Sequence, residues 1–278
     1  MAPRGVRQIL RASQPARLVG TGKRAAYRLV EPKAADRGAP KRFLPRVRGI
    51  TKRLAQRVHS TGMLPMMARR AERRPGGHWS GPDGGRARGQ RVDAQLTRIV
   101  NSSNAAKAMR KIEETKHVYG LTRVILNGLR TRGLEPVCAQ RCVASRKHGL
   151  GTAADLVCYE PATNDLHIVE LKCGHDHGRL APAVDASDEA SDGASGRGMT
   201  MQEPLHQVVD CVLHRHFAQL SATLAMFEQE TDTLERLRQL GVAKVRGTLV
   251  YASDEKVDFY AMPKWWHKRG PKLLAALA

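Results

Sequence analysis

Asp155, Glu170 and Lys172 are the residues of this chain whose types and spacing could do chemistry. They lie in the segment Gly151 to Gly174, GTAADLVCYEPATNDLHIVELKCG, where two short apolar, β-branched runs flank the turn formers PATND. The pattern predicts two adjacent strands of one hairpin. Side chains alternate faces along a strand, so Glu170 and Lys172 share one face while Leu171 points to the other. With Asp155 brought alongside, two carboxylates and the carbonyl of Leu171 form an all-oxygen site suited to Mg²⁺ or Mn²⁺, hard cations that keep several waters. Lys172 then stands beside a metal-bound water, where an ammonium orients the nucleophile or stabilises charge developing on a phosphate. That is what phosphodiester hydrolysis requires.

E-x-K also occurs as an ordinary cross-strand surface pair, with Asp155 a mere strand-end residue. The context separates the two readings: Asp155 opens an apolar strand, Glu170 follows fifteen residues later, and the charges end an otherwise buried strand with a helix downstream. Charges at the end of buried strands are costly without a purpose.

Asp155 followed by Glu170-Leu171-Lys172 resembles the signature of the PD-(D/E)XK nuclease superfamily, with Ala154 where the family's proline often stands. The resemblance implies an α/β fold with a restriction-endonuclease-like core of helix, three strands, helix and strand. It also implies that Asp155 and Glu170 hold a divalent metal and that Lys172 assists the attacking water. The rest of the chain supplies elements in that order. Gly85 to Asn101 and Lys116 to Arg132 are both periodic enough to be the first core helix, and Glu135 to Ser145 predicts the first strand. Downstream, Pro204 to Glu230 predicts a long helix, and Val245 to Ala252 and Val257 to Met262 predict two further strands.

Within that long helix, HFAQLSATLAMF resembles the glutamine motif of the RecB-like and lambda-exonuclease-like branches, which makes Gln219 a fourth catalytic candidate. Thr223 stands where those branches usually carry tyrosine, and Gln207 competes for the role. Gly89 with Asp93 resembles a further element of the first helix, with aspartate replacing histidine; Glu113 and Glu114 could equally supply that carboxylate. These branches act in DNA processing, repair and recombination, and similar stand-alone domains are frequent in large DNA viruses. The resemblance therefore leans toward an exonuclease acting on DNA. The competing expectation is a nucleic-acid-binding protein that keeps the fold without cleavage, and a third is an RNA-directed nuclease.

Charge is distributed unevenly along the chain. Of a net +21 over 278 residues, residues 1 to 75 carry +17, with 20 Lys and Arg against Glu31, Asp36 and Glu72. A segment this charged and this poor in large apolar residues cannot easily offset its ordering entropy, so residues 1–84 are expected to be a mostly disordered basic arm. Such an arm binds phosphate backbones in a salt-dependent way, or serves as an address to the nucleus or mitochondrion. The expected nuclease domain is 85–270, with a flexible loop at 174–202 and a tail at 271–278. No apolar stretch is long enough to span a bilayer, and no secretory pattern is present, so a soluble intracellular protein is expected.

The remaining motifs read more plainly. Five cysteines, odd in number and scattered, are expected to be free thiols, and Cys138 and Cys142 lie too far apart along a strand to share one zinc. His175 and His177, in the Ala/Ser/Gly/Asp-rich loop, are expected to ligate nothing; that loop leaves directly from the candidate site, where it could gate a DNA groove. Trp265 and Trp266 sit among Lys264, Lys268 and Arg269, a pattern that suits stacking on bases but is better explained by packing against the core helix.

Overall fold

In a computed structural model, the structure describes residues 2–19, 26–29, 46–59, 85–114, 120–173 and 200–278. The segment expected to gate a DNA groove, with His175 and His177, lies outside the described residues, as do most of the basic runs of the arm.

The chain forms a mixed α/β fold, with eight strands and eight helices among the described residues. Helix α1 (Arg4–Ala12) leads into β1 (Ala16–Val19), β2 (Ala26–Leu29) and β3 (Arg46–Gly49), followed by α2 (Ile50–Arg57). Helices α3 (Gly85–Val100), α4 (Ala105–Glu114) and α5 (Gly120–Thr131) precede the strands β4 (Glu135–Ser145), β5 (Leu150–Glu160) and β6 (Asp165–Cys173). Then come α6 (Val212–Glu228), α7 (Thr231–Gln239), β7 (Val245–Ala252), β8 (Val257–Ala261) and α8 (Lys264–Leu277).

One sheet organises these elements. β4, β5 and β6 form an antiparallel meander, β7 joins β6 in parallel, and β8 closes that edge. β5 pairs along nearly its whole length with β4, but its other side is shared: β3 pairs in parallel with Leu150 and Gly151, and β6 pairs only from Leu156 onward. Thr152 to Asp155 lie in the gap between those two partners. The largest core packs α1, α2, α6, α7 and α8 on the sheet, through residues such as Leu10, Leu54, Phe217, Phe227 and Leu274. A second cluster holds α3 and α5 through Val92, Leu96, Leu121 and Ile125 against Leu156, Val169 and Val250.

The expectation of an unstructured arm does not hold for its described parts. Val6, Ile9 and Leu10 are spaced as one helical stripe and are buried, as are Ile50, Leu54 and Val58. Burial of each such side chain contributes about 1.5–3 kcal/mol, enough to hold a short helix whose opposite face is arginine. The average charge of the segment hid two narrow apolar stripes. The expected tail at 271–278 is likewise part of α8, with Leu273, Leu274 and Leu277 fully buried. Gly270-Pro271 reads as a breaker in sequence. In the fold Gly270 instead lets α8 approach α6, since a Cβ there would meet the Ala225 Cβ at 2.7 Å and the Ser221 carbonyl oxygen at 2.8 Å.

The helix expected from Pro204 begins only at Val212, and Asp210 just before it takes a bidentate ion pair from Arg215. No disulfide joins any of the five cysteines, and Cys138 and Cys142 fall in different apolar clusters. Trp266 is buried and stacks on Phe217 at 5.9 Å, as the packing expectation held, while Trp265 is half-buried with the Arg269 guanidinium 4.7 Å from its ring centre. Among the described residues no helix is long and apolar enough to cross a membrane.

Candidate active site

The gap beside β5 creates the site. Continuing the β5–β6 register beyond Leu156 and Val169 would set Asp155 opposite Glu170, but the ladder stops there. The Leu171 N–H instead donates to Asp155 Oδ2 at 2.8 Å, so a side-chain carboxylate takes the place of a strand carbonyl. Gln140, on the neighbouring strand, donates to Asp155 Oδ1 at 3.4 Å. Gln140 has φ of 51°, in the left-handed region that non-glycine residues seldom occupy, close to a register shift between Pro136 and Cys138.

Glu170 and Lys172 share the other face of β6 from Val169 and Leu171, which are built into the second core. Lys172 Nζ donates to Glu170 Oε1 at 2.5 Å and, from across the helix interface, to Gln219 Oε1 at 3.4 Å. Gln219 is placed by α6, whose burial on nearly every side fixes its rotation over the sheet. The sequence-predicted Asp155, Glu170, Lys172 and Gln219 are thus brought together. Thr223, one turn further on, turns its hydroxyl back to the Gln219 carbonyl at 2.8 Å. Gln207 is exposed, and so is Glu114. The side chain of Glu113 lies outside the described residues.

Asp93 joins the cluster from α3, where Val92, Leu96 and Val100 seat the helix on the second core. Burial, and then the charge of Asp155, push its carboxyl up to about 7, against the pull of Lys172. Burial and Asp155 likewise push Glu170 up to about 7. Burial also raises Asp155, although Lys172, the Leu171 N–H and Gln140 all hold it down. For Lys172 burial acts downward, but Glu170, Asp155 and Asp93 outweigh it and the ammonium is raised. Three carboxylates thus surround one ammonium in a poorly solvated place. Among the described residues no three His, Cys, Asp or Glu side chains are gathered as a ready-made metal shell. The oxygen donors named by the sequence motif are two carboxylates and the carbonyl of Leu171.

Three neighbours were not evident from sequence. Tyr251 lies opposite Lys172 in the β6–β7 register, and His216 Nδ1 is 2.7 Å from its hydroxyl. His216 precedes Gln219 by one helical turn, and that i, i+3 spacing was the only signal available for it. Gln140 had none, because its reach to Asp155 depends on a backbone twist in β4.

No protein-family model matches this chain, and no curated protein is similar to it.

Proposed function

We propose that this protein is a metal-dependent nuclease that hydrolyses DNA phosphodiester bonds, with a restriction-endonuclease-like core and an exonuclease-like action in DNA processing, repair or recombination. The observation that carries the reading is the excess of carboxyl groups over cations at the gap in the sheet: among the described residues, Asp155 accepts from the Leu171 N–H, Glu170 accepts from the Lys172 ammonium, and Asp93 lies close enough to feel the charges of Asp155 and Lys172. A divalent cation answers that excess, and the all-oxygen donor set suits Mg²⁺ or Mn²⁺ rather than a softer metal. Further support comes from the element order: α3 or α5, then the meander β4, β5, β6, then α6 and the parallel strand β7.

Asp155, Glu170 and the Leu171 carbonyl would hold the ion, which when bound acidifies water and polarises a phosphoryl oxygen. The chain's own groups do the rest. The Leu171 N–H and Gln140 fix the carboxylate plane of Asp155. Gln219 holds the Lys172 ammonium from above, leaving it a third N–H with which to orient the attacking water or meet charge on the phosphate. The raised pKa of Lys172 keeps it cationic through neutral pH.

The test is cleavage of labelled linear, circular and single-stranded DNA, with RNA alongside, in Mg²⁺ or Mn²⁺. The native protein should cut in a metal-dependent way, and Lys172→Ala should lose about a hundredfold or more of that activity. Preference for linear over circular substrate would identify exonucleolytic action. A native protein that binds every strand and cuts none would replace this reading with a nucleic-acid-binding function.

A further inference from the structure

A second cluster of charge, of opposite sign, lies away from the candidate active site. A cleft of about 850 Å³ opens between the α1–β1 connection, the β4–β5 turn and the start of α7. Arg11, Arg17, Arg146, Lys147 and Arg236 line it, all exposed, and they come from three separate stretches of chain. Convergence from three stretches distinguishes this from the solvated face of one helix. The carboxylates lining it are Asp232 and Glu230.

Glu230 does not offset those cations, because it is already spent on another. Its Oε2 accepts from Arg141 Nη2 at 2.5 Å, and Arg141 is fully enclosed beneath the cleft, with its guanidinium 5.5 Å from the Phe227 ring centre. Arg141 Nη2 also donates to Ser13 Oγ at 3.3 Å, and Ser13 lines the cleft. Among the described residues, the guanidinium's Nε and Nη1 are buried without a partner, as is Glu230 Oε1. An arginine buried with donors unmade is costly unless something supplies acceptors. The cleft also receives the N-terminus of α7, whose unpaired N–H groups favour an anion there.

We propose that this cleft binds phosphate groups of the nucleic-acid strand on which the candidate active site acts. The assignment of the strand rests on the nuclease reading; the anionic character of the ligand does not. Two elements connect the places. The end of α6 lies nine residues beyond Gln219, about 13 Å at the helical rise, and the start of β5 lies five residues before Asp155, about 17 Å along a strand. At about 3.4 Å per nucleotide along one strand, the cleft sits roughly four or five nucleotides from Lys172. A strand held at both places is positioned for cleavage without any base being read.

The test measures binding of a fluorescently labelled DNA strand and its duplex to the full-length protein in EDTA, so that no cleavage intervenes. Arg146→Ala/Lys147→Ala/Arg236→Ala should weaken binding about tenfold or more at low salt and reduce the log–log salt slope by about 2 to 3. Arg123→Ala/Arg130→Ala/Arg132→Ala removes the same charge from α5 and the turn that follows it, and should weaken binding far less. Equal losses in the two variants, or no loss in the first, would overturn the proposal. Displacement of the strand by sodium phosphate but not by sodium sulfate of equal ionic strength would also overturn it, in favour of a free-phosphate site. Cleavage is measured separately on the same protein. If the cleft variant loses binding while the native protein cuts nothing, the phosphate cleft stands and the nuclease reading falls.

Discussion

Two buried clusters of charge on the same sheet have opposite imbalance. At the gap beside β5, three carboxylates share Lys172; under the cleft, Arg141 is matched by Glu230 alone, and the surroundings are cationic. In both places burial pushes a glutamate up to about 7, Glu170 together with the charge of Asp155 and Glu230 against the pull of Arg141. The shared shift therefore says only that each carboxylate is poorly solvated. The difference lies in what each cluster lacks. The first is short of positive charge, the second holds guanidinium donors without acceptors, and so the two invite ligands of opposite sign.

The largest effect should come from breaking the balanced pair. Arg141→Ala leaves Glu230 enclosed without its cation and should cost about 3–5 kcal/mol in denaturant unfolding. Arg141→Met with Glu230→Leu should recover most of that stability. If the double variant is as unstable as the single one, the pair is not the source of the loss.

The anion-rich cluster should behave the other way. A carboxyl whose pKa is higher in the folded than in the unfolded state binds its proton more tightly when folded. Its contribution is complete below about 4.5 and is lost as the pH rises through 7. Stability measured in EDTA should therefore fall between these values, Glu170→Gln should flatten that fall, and Mg²⁺ should raise the thermal midpoint more at pH 8 than at pH 5. A metal effect equal at both pH values would remove the charge excess as its cause.

The smallest effect separates Gln219 from its rival. Gln219→Ala removes one long hydrogen bond from the Lys172 ammonium and should cost cleavage about tenfold with little change in stability, on the order of 1 kcal/mol. Gln207→Ala, at an exposed position, should change neither. Equal losses from the two would detach the α6 glutamine from the site.

Periodicity made much of this legible. The short apolar runs of β4, β5 and β6, covered on both faces of the sheet, the alternation of side chains along a strand, and the helical stripe of α3 are local patterns that a sequence records directly. The face shared by Glu170 and Lys172 followed from the same rule. Segments whose few apolar residues are embedded in charge were misread, since composition averages over the Val6, Ile9, Leu10 stripe that packs α1 into the core. Asp93 and Gln219 could be named as candidates, but their reach into one cluster could not.

By itself, then, the sequence determined the hairpin, the shared face of Glu170 and Lys172, and the excess of basic residues near the N-terminus. Only the tertiary structure decided that β3 and β6 share one side of β5 and leave Asp155 in the gap, and that arginines from three stretches meet over Arg141. The reason is the range of the forces involved. Strand alternation is local, whereas a gap in a ladder and a convergence of charge depend on which distant segments the core brings side by side.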